Sequence, residues 1–220
     1  MHGWGGNKDS LASLAAPFSR EYRVTLVDLY GFGETPHPDK KLRLSDYADS
    51  VAELIRRYKM SSVVLVGHSF GGKVALCLAR RYGALIDKMV LIDASGIRPK
   101  RSLKFHIRVI LYKIRKKLGL VTPSDEHGSK DYRAAKGRLR DTFVSVVNTH
   151  LDRDLHYITL PVLLIWGAED KETPLYMAKK LKRRLAHAIL FVIENAGHFP
   201  YADQYAECLA LIKKFVGGSL

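Results

Sequence analysis

The chain has 220 residues, 47% of them hydrophobic, and carries 36 Lys and Arg against 22 Asp and Glu, a formal net charge of +14. This length and composition are enough to bury one sizeable core, so we expect one main globular domain. No run approaches the roughly 18 consecutive apolar residues of a membrane span, and the first residues lack the pattern of a signal peptide. The expected location is therefore the cytoplasm.

Short apolar runs rich in β-branched residues alternate with longer stretches of helical period, which is the pattern of βα units around a mostly parallel sheet. The nearly continuous apolar character of the runs indicates that helices cover both faces of the sheet. The predicted strands are, in chain order, Arg23–Leu29, Ser62–His68, Lys88–Ala94, Pro161–Gly167 and Ala188–Glu194. The predicted helices are Ser45–Tyr58, Gly71–Tyr82, Pro174–Leu185 and Tyr201–Val216.

The alternation is interrupted between residues 98 and 156, where no strand pattern occurs. Apolar residues recur at helical spacing from Leu103 to Leu118, with Lys and Arg between them, and a second helical run is predicted from Tyr132 to Val147. We interpret residues 98–156 as a basic helical lid, inserted into a core made of residues 1–97 and 157–220.

The positive charge is concentrated in this predicted lid, which holds 15 Lys and Arg against 6 Asp and Glu. A basic surface attracts nucleic acid, anionic lipid or an acidic substrate, but such charge runs are more often solvated helix faces. We therefore predict no nucleic-acid partner. A weak contact of Leu103–Leu118 with an anionic membrane stays open as an alternative.

The most specific motif is Gly67-His68-Ser69-Phe70-Gly71, a G-x-S-x-G run between a predicted strand and a predicted helix. This context is the one that a nucleophile elbow requires, because the tight turn lifts the serine above the strand ends. Ser69 is thus the candidate nucleophile. The alternative is a glycine-rich turn that binds phosphate or only packs.

Four further segments complete a resemblance to the α/β-hydrolase family that covers nearly the whole chain. They are His2-Gly3-Trp4-Gly5-Gly6, Asp28-Leu29-Tyr30-Gly31-Phe32-Gly33, Gly167-Ala168-Glu169-Asp170 and Gly197-His198. The resemblance implies that the backbone amides of Trp4 and Phe70 form an oxyanion hole, and that Asp170 and His198 join Ser69 in a catalytic triad. The family spacing selects Asp170 over Glu169, although either carboxylate is also suited to capping the following helix.

Each member of such a triad has a physical role. A serine hydroxyl is too weak an acid to ionise alone near neutral pH, so His198 takes its proton as the serine attacks. A carboxylate on the other ring nitrogen, from Asp170, fixes the tautomer and stabilises the imidazolium.

The remaining motifs support no cofactor. The other histidines show no metal-ligand spacing, and His2 and His68 are interpreted as packing residues beside the predicted site. No nucleotide-binding glycine motif occurs, so we predict neither a metal nor another cofactor.

The resemblance also implies that strands are missing. The family sheet has eight strands, and its oxyanion loop follows the third, whereas here that loop begins at residue 2. We therefore expect an N-terminally shortened hydrolase sheet without its first three strands. The third of these strands lies between the predicted strands Arg23–Leu29 and Ser62–His68, so a gap is expected there.

The predicted function is hydrolysis of a small-molecule carboxylic ester or thioester through an acyl-enzyme. One alternative is a carbon–carbon bond hydrolase of the dienoate type, since such enzymes use the same triad. Another is a non-catalytic, ligand-binding member of the fold, because a fold alone does not determine function.

Overall fold

The computed structural model describes residues 1–100 and 129–220. Within these ranges one sheet of four parallel strands forms, in the order β1-β2-β3-β4. The strands are β1 Val64–His68, β2 Lys88–Ile92, β3 Val162–Gly167 and β4 Ala188–Ile193. The α-helices are α1 Ala12–Ala15, α2 Leu44–Arg57, α3 Phe70–Tyr82, α4 Lys130–Ala134, α5 Gly137–Val147, α6 Tyr176–Arg184, α7 Pro200–Asp203 and α8 Tyr205–Val216.

Helices cover both faces of this sheet, as the apolar runs predict. Alternate strand residues point to opposite faces, so Met89 and Leu91 of β2 join one core cluster and Val90 and Ile92 join the other. Buried residues of α2, α3 and α6 complete the first cluster. The second is completed by α1, α7 and α8. The α/β architecture with a parallel sheet is therefore confirmed.

Parallel pairing places the carboxyl ends of all four strands at one edge of the sheet. His68 at the end of β1 pairs with Ile92, and Gly167 at the end of β3 pairs with Ile193. The segments that follow these strand ends therefore converge, and in open α/β sheets this edge is where ligands bind.

Two predicted helices are each divided in the structure. The predicted run Tyr132–Val147 is broken between α4 and α5, where Ala135 and Lys136 have extended backbones and Gly137 has φ +50°. The predicted run Tyr201–Val216 is broken between α7 and α8 at Gln204, whose φ of −132° and ψ of 59° are not helical. Helical periodicity persists across both breaks, which is why it did not reveal them. The predicted helix Leu103–Leu118 lies outside the described residues.

The prediction of a strand at Arg23–Leu29 is wrong. This segment has no β pairing, and its first four side chains are exposed. A cavity of about 500 Å³ separates it from the free edge of β1. β-branched residues favour a strand only where a neighbouring strand accepts their backbone hydrogen bonds, and here none lies beside them.

Among the described residues, hydrogen bonds to the free edge of β1 are made only at its last part. The amino group of Met1 donates to the Val66 carbonyl at 2.8 Å, and the His68 amide donates to the Met1 carbonyl at 3.1 Å. Burial lowers the pKa of the Met1 amino group to about 5. Met1 is thus held against β1 next to the turn that carries Ser69.

The contact between Met1 and α3 requires a glycine, which gives the first testable prediction. A Cβ on Gly71 would lie 2.3 Å from the Met1 carbonyl oxygen and 2.7 Å from that of His2. Gly71→Ala must therefore move backbone, and we expect it to lower the free energy of unfolding by about 1–3 kcal/mol, measured by urea denaturation. Gly83→Ala is the matched control, since no atom lies within 4 Å of its added Cβ. Equal destabilisation of both variants would contradict the packing described here.

Among the described residues, no helix is both long and apolar enough to cross a membrane.

Candidate active site

Ser69 occupies a strained turn between β1 and α3. Its φ of 49° and ψ of −109° are unfavourable for a residue with a side chain, at a cost of roughly 1–3 kcal/mol. The turn is held by backbone hydrogen bonds, with the Ser69 amide donating to the Ile92 carbonyl at 3.0 Å and the Ser69 carbonyl accepting from Ser95 at 3.0 Å. Gly67 allows the close approach, because a Cβ there would lie 2.6 Å from the Gly71 carbonyl oxygen. Ser69 is thereby presented at the carboxyl edge of the sheet.

Asp170 and His198 are brought together by the loops after β3 and β4. The Nδ1 of His198 lies 2.8 Å from Oδ2 of Asp170, and the Asp170 side chain is fully buried. The other oxygen, Oδ1, accepts hydrogen bonds from the amides of Glu172 and Thr173 at 2.7 and 3.0 Å. Nδ1 therefore carries the proton of this contact, and Nε2 is directed away from Asp170.

The surroundings of Asp170 keep it ionised. Burial by itself raises the pKa of a carboxyl, but the hydrogen bonds from His198 and Thr173 outweigh it and hold the pKa of Asp170 well below its usual range. A charged, buried carboxylate beside an imidazole stabilises the imidazolium that forms when the ring accepts a second proton.

Glu169, the carboxylate next to Asp170 in this loop, makes no hydrogen bond with His198 among the described residues. Glu169 is exposed, and its hydrogen bond within the site is made by its backbone amide, which donates to the Ala196 carbonyl at 2.9 Å. This bond joins the loop after β3 to the loop after β4. Glu169 thus helps to hold the two loops together through its main chain, while Asp170 contacts the imidazole.

The second nitrogen of His198 is directed toward the open side of the site. Its Nε2 lies 3.4 Å from the carboxylate of Glu172, whose side chain is 68% exposed. No hydrogen bond between Ser69 Oγ and His198 occurs within residues 1–100 and 129–220. Catalytic hydrogen bonds of this kind are often long or poorly aligned until a substrate binds, so proton transfer from Ser69 to His198 is compatible with the absence of this bond.

His68 contacts the candidate base directly, which the sequence did not reveal. It is buried at the end of β1, and its Nε2–H donates to the backbone carbonyl of His198 at 2.7 Å. The two rings are 4.9 Å apart between centroids. Burial lowers the pKa of His68 to about 4, so the ring is neutral near pH 7. His68 therefore connects the Ser69 turn to the loop that carries His198.

Loss of this bond should lower both activity and stability. His68→Phe keeps an aromatic ring at the position but leaves the His198 carbonyl without its donor, which costs about 1–3 kcal/mol for a buried group. We expect about a tenfold lower kcat for an ester substrate, because the His198 loop loses one of its anchors. His187→Phe, at an exposed position on another part of the chain, is the control. Unchanged kcat in His68→Phe would contradict this role.

The loop containing Trp4 lies against the Ser69 turn. A Cβ on Gly3 would be 3.3 Å from the Ser69 Cβ, which places the backbone of residues 3 and 4 beside the candidate nucleophile. The loop is held by His2, whose Nε2 accepts from the Leu29 amide at 3.1 Å. Phe70 is the first residue of α3, so its amide has no acceptor within the helix. In the part of the chain that is described, neither the Trp4 nor the Phe70 amide donates a hydrogen bond.

Helix α5 packs over the Trp4 side of the site. The Phe143 ring contacts Trp4 at a centroid distance of 5.0 Å, and the Trp4 ring also lies 5.2 Å from that of Phe70. Lys73 of α3 is buried and donates to the Val146 carbonyl at 2.6 Å, and burial lowers its pKa to about 8. These contacts fasten α5 to the core. The lid at residues 98–156 and the core around it stay predictions.

One group of residues in the described part of the chain has the composition of a metal site. Ligand atoms of Asp93, Asp170 and His198 all lie within 4.8 Å of one another. The Asp170 and His198 atoms already hydrogen-bond to each other. The expectation that the protein uses no metal or other cofactor stays a prediction.

The fold is that of an alpha/beta hydrolase. The model of the alpha/beta hydrolase family matches residues 1–211, and the chain belongs to that family.

Several relatives are named as esterases or hydrolases. The chain is 26% identical to the pimeloyl-[acyl-carrier protein] methyl ester esterase of Aeromonas salmonicida, over 99% of this chain and 94% of that protein. Among solved structures, an esterase from Exiguobacterium antarcticum is similar with a TM-score of 0.79 and 21% identity, covering 99% of this chain and 90% of that one. A meta-cleavage product hydrolase from Pseudomonas fluorescens has a TM-score of 0.74 and 22% identity, covering 100% and 89%. At these identities the two structures show the fold alone.

Proposed function

We propose that this alpha/beta hydrolase cleaves a small-molecule carboxylic ester or thioester through an acyl-enzyme on Ser69. His198 acts as the general base, and Asp170 orients it. The observation that carries the proposal is the 2.8 Å contact between His198 Nδ1 and the buried carboxylate of Asp170, beside the strained turn at Ser69. Acyl transfer needs three groups, which are a buried carboxylate, an imidazole and a serine, and here the serine lies at the carboxyl edge of the sheet.

In the first half-reaction Ser69 Oγ attacks the carbonyl carbon of the substrate. His198 Nε2 accepts the hydroxyl proton as the new C–O bond forms, and the resulting imidazolium is stabilised by the Asp170 carboxylate. The imidazolium then returns the proton to the departing alkoxide or thiolate. The products are an acyl-Ser69 ester and a free alcohol or thiol.

In the second half-reaction a water molecule repeats the sequence in place of Ser69. His198 removes a proton from the water as it attacks the acyl carbon, and the imidazolium then returns that proton to Ser69 Oγ as the carboxylic acid leaves. Asp170 supports the base in both steps, because its hydrogen bond keeps the proton on Nδ1 and leaves Nε2 free to accept another.

Negative charge on the tetrahedral oxygen requires donors beside Ser69, and we assign them to the Trp4 and Phe70 amides. Both amides lie next to Ser69 in the fold and are free of other acceptors in the described residues. A preorganised donor of this kind stabilises the transition state by about 3–4 kcal/mol. The aromatic rings of Trp4, Phe70 and Phe143 supply an apolar wall near these donors. The named activity of the Aeromonas relative, on a methyl ester, agrees with an ester substrate.

The proposal is tested by stopped-flow hydrolysis of p-nitrophenyl acetate and butyrate. An acyl-enzyme predicts a burst of nitrophenolate close to one equivalent of enzyme, followed by slower turnover, and a transient mass increase equal to the acyl group. A dienoate with a cleavable carbon–carbon bond is run in parallel. Cleavage of the dienoate without ester turnover would replace the proposal with carbon–carbon hydrolysis. Absence of turnover on every substrate, in folded protein, would favour a ligand-binding role.

A further inference from the structure

A second buried carboxyl lies behind the candidate triad. Asp93 directly follows β2, has φ 41°, and is fully buried. Its Oδ1 accepts the Gly167 amide at 3.1 Å, whereas its Oδ2 has no hydrogen-bond donor among the described residues. A buried oxygen without a donor is costly for a carboxylate. If Asp93 Oδ2 carries a proton, it needs no donor, because the hydroxyl itself donates a hydrogen bond to a neighbouring acceptor.

Asp170 is the neighbouring acceptor for a hydrogen bond from a protonated Asp93. Atoms of the two carboxyl groups and of His198 lie within 4.8 Å of one another. Two adjacent carboxylates do not both ionise in a buried site, and the group with more hydrogen-bond donors keeps the charge. Asp170 accepts hydrogen bonds from the Glu172 and Thr173 amides and the His198 imidazole, whereas within residues 1–100 and 129–220 the Asp93 side chain accepts only from the Gly167 amide. The proton therefore resides on Asp93.

We propose that Asp93 is a positioning residue that stays protonated and donates its Oδ2 hydrogen to Asp170, holding that carboxylate in the orientation that His198 requires. The proposal rests on the proposed function, in which Asp170 orients the base. By this proposal the end of β2 belongs to the site, because the Asp93 side chain contacts both Gly167, at the end of β3, and Asp170, in the loop that follows β3.

Thr173 takes part in the same arrangement. Its hydroxyl lies 2.6 Å from Asp170 Oδ2 and 3.1 Å from the Asp93 carbonyl oxygen, but it has a single proton to donate. When Thr173 donates to the Asp93 carbonyl oxygen, Asp170 Oδ2 keeps one acceptor site, and the Asp93 proton fills it. The polar atoms of this buried cluster then have hydrogen-bond partners without a second negative charge.

The other ionisable groups around Asp93 leave Asp170 as its closest charged neighbour. Burial, with Asp93 nearby, raises the pKa of both Tyr201 and Cys208 to about 12, so these two stay neutral. Asp203 is exposed and accepts the Gly197 amide. The titratable groups that face Asp93 are Asp170, His198, Tyr201, Asp203 and Cys208.

The arrangement has a pH dependence of definite sign. Burial and then the neighbouring Asp170 raise the pKa of Asp93 from 3.8 to about 9. Between these values the folded chain keeps a proton that the unfolded chain has lost, so the contribution of this group to stability is full below pH 4 and declines as the pH rises toward 9. Asp93→Asn has no proton to lose, yet its amide oxygen still accepts from Gly167 and its NH₂ still donates to Asp170.

The test combines two variants with two readouts. The melting temperatures of wild type and Asp93→Asn are compared from pH 5 to pH 9, and we expect the difference to shift in favour of the variant as the pH rises. The second readout is the rate of covalent labelling by a fluorophosphonate between pH 6 and pH 10. We expect Asp93→Asn to label within about threefold of wild type at pH 7 and to keep its rate above pH 9, where the wild-type rate falls. Asp93→Leu, which has no donor, should label at least about tenfold more slowly throughout.

The outcomes separate this inference from the proposed function. A melting-temperature difference that does not change with pH overturns the protonated Asp93, whether or not the protein labels. Labelling of Asp93→Leu at the wild-type rate overturns the positioning role. If Asp93→Leu does not fold, by circular dichroism, the comparison of wild type with Asp93→Asn decides alone, and a parallel fall of both rates above pH 9 overturns the inference. Failure of folded wild type to label counts against the proposed function instead.

Discussion

Replacing Ser69 with alanine is expected to lower kcat/KM for the best ester substrate by at least about 10⁴-fold. The variant keeps the turn, because the backbone bonds to Ile92 and Ser95 do not involve the hydroxyl. It loses the atom that forms the acyl bond, so the residual rate reflects only the binding and oxyanion contributions.

Ser95→Ala is the matched control for this experiment. Ser95 lies beside the same turn, and its hydroxyl donates to the Ser69 carbonyl at 3.3 Å, a weak contact that the Ser95 backbone amide duplicates. We expect it to retain activity within about threefold of wild type. Steady-state kinetics on p-nitrophenyl butyrate measures both variants. Retention of more than about 1% of wild-type kcat/KM by purified Ser69→Ala would show that another group carries the reaction.

Asp170→Asn is expected to lower kcat by about 10³–10⁴-fold near pH 7 while leaving the fold intact. The asparagine oxygen can replace Oδ1 as acceptor for the Glu172 and Thr173 amides. Its NH₂ group then faces His198 Nδ1 and donates to it, which moves the ring proton to Nε2. An imidazole protonated at Nε2 cannot accept the Ser69 proton.

Glu169→Gln is the control for the loss of a carboxylate from the same loop. The Glu169 side chain is exposed, and its structural contact is made by the backbone, so kcat should stay within about twofold of wild type. Equal losses of kcat in the two variants would refute the assignment of Asp170. The kinetics are measured with the ester of the Ser69 experiment, after the melting temperatures have been compared.

The sheet was largely predictable from sequence because its strands are buried on both faces. Four runs of continuous apolar residues form β1 to β4, with ends shifted by one or two residues. The fifth run, Arg23–Leu29, has the same composition but stays unpaired, because a strand depends on a neighbour that composition does not describe. The breaks before α5 and α8 depend on the backbone conformations of three residues and of one residue, respectively, and helical periodicity does not reveal these conformations.

The sequence predicted some residues of the candidate site and not others. Ser69, Asp170 and His198 each follow a strand within a short motif, so their common edge of the sheet was foreseeable, while their catalytic roles stay predictions. His68 and Asp93 were not singled out for such roles, since their partners lie 130 and 74 residues away along the chain. A carboxyl group at the end of an apolar strand, such as Asp93 after β2, is the sequence signal that could have indicated such a role.

The most direct test of the central claim is intact-mass and peptide-mapping analysis after reaction with a fluorophosphonate. Wild type, Ser69→Ala and His198→Ala are compared, each confirmed as folded by circular dichroism. An activated Ser69 predicts one adduct per wild-type chain, located on Ser69, with none on Ser69→Ala and strongly slowed labelling of His198→Ala. An adduct on another residue, or wild-type labelling that survives in either variant, would contradict the assignment of Ser69 and His198 as nucleophile and base.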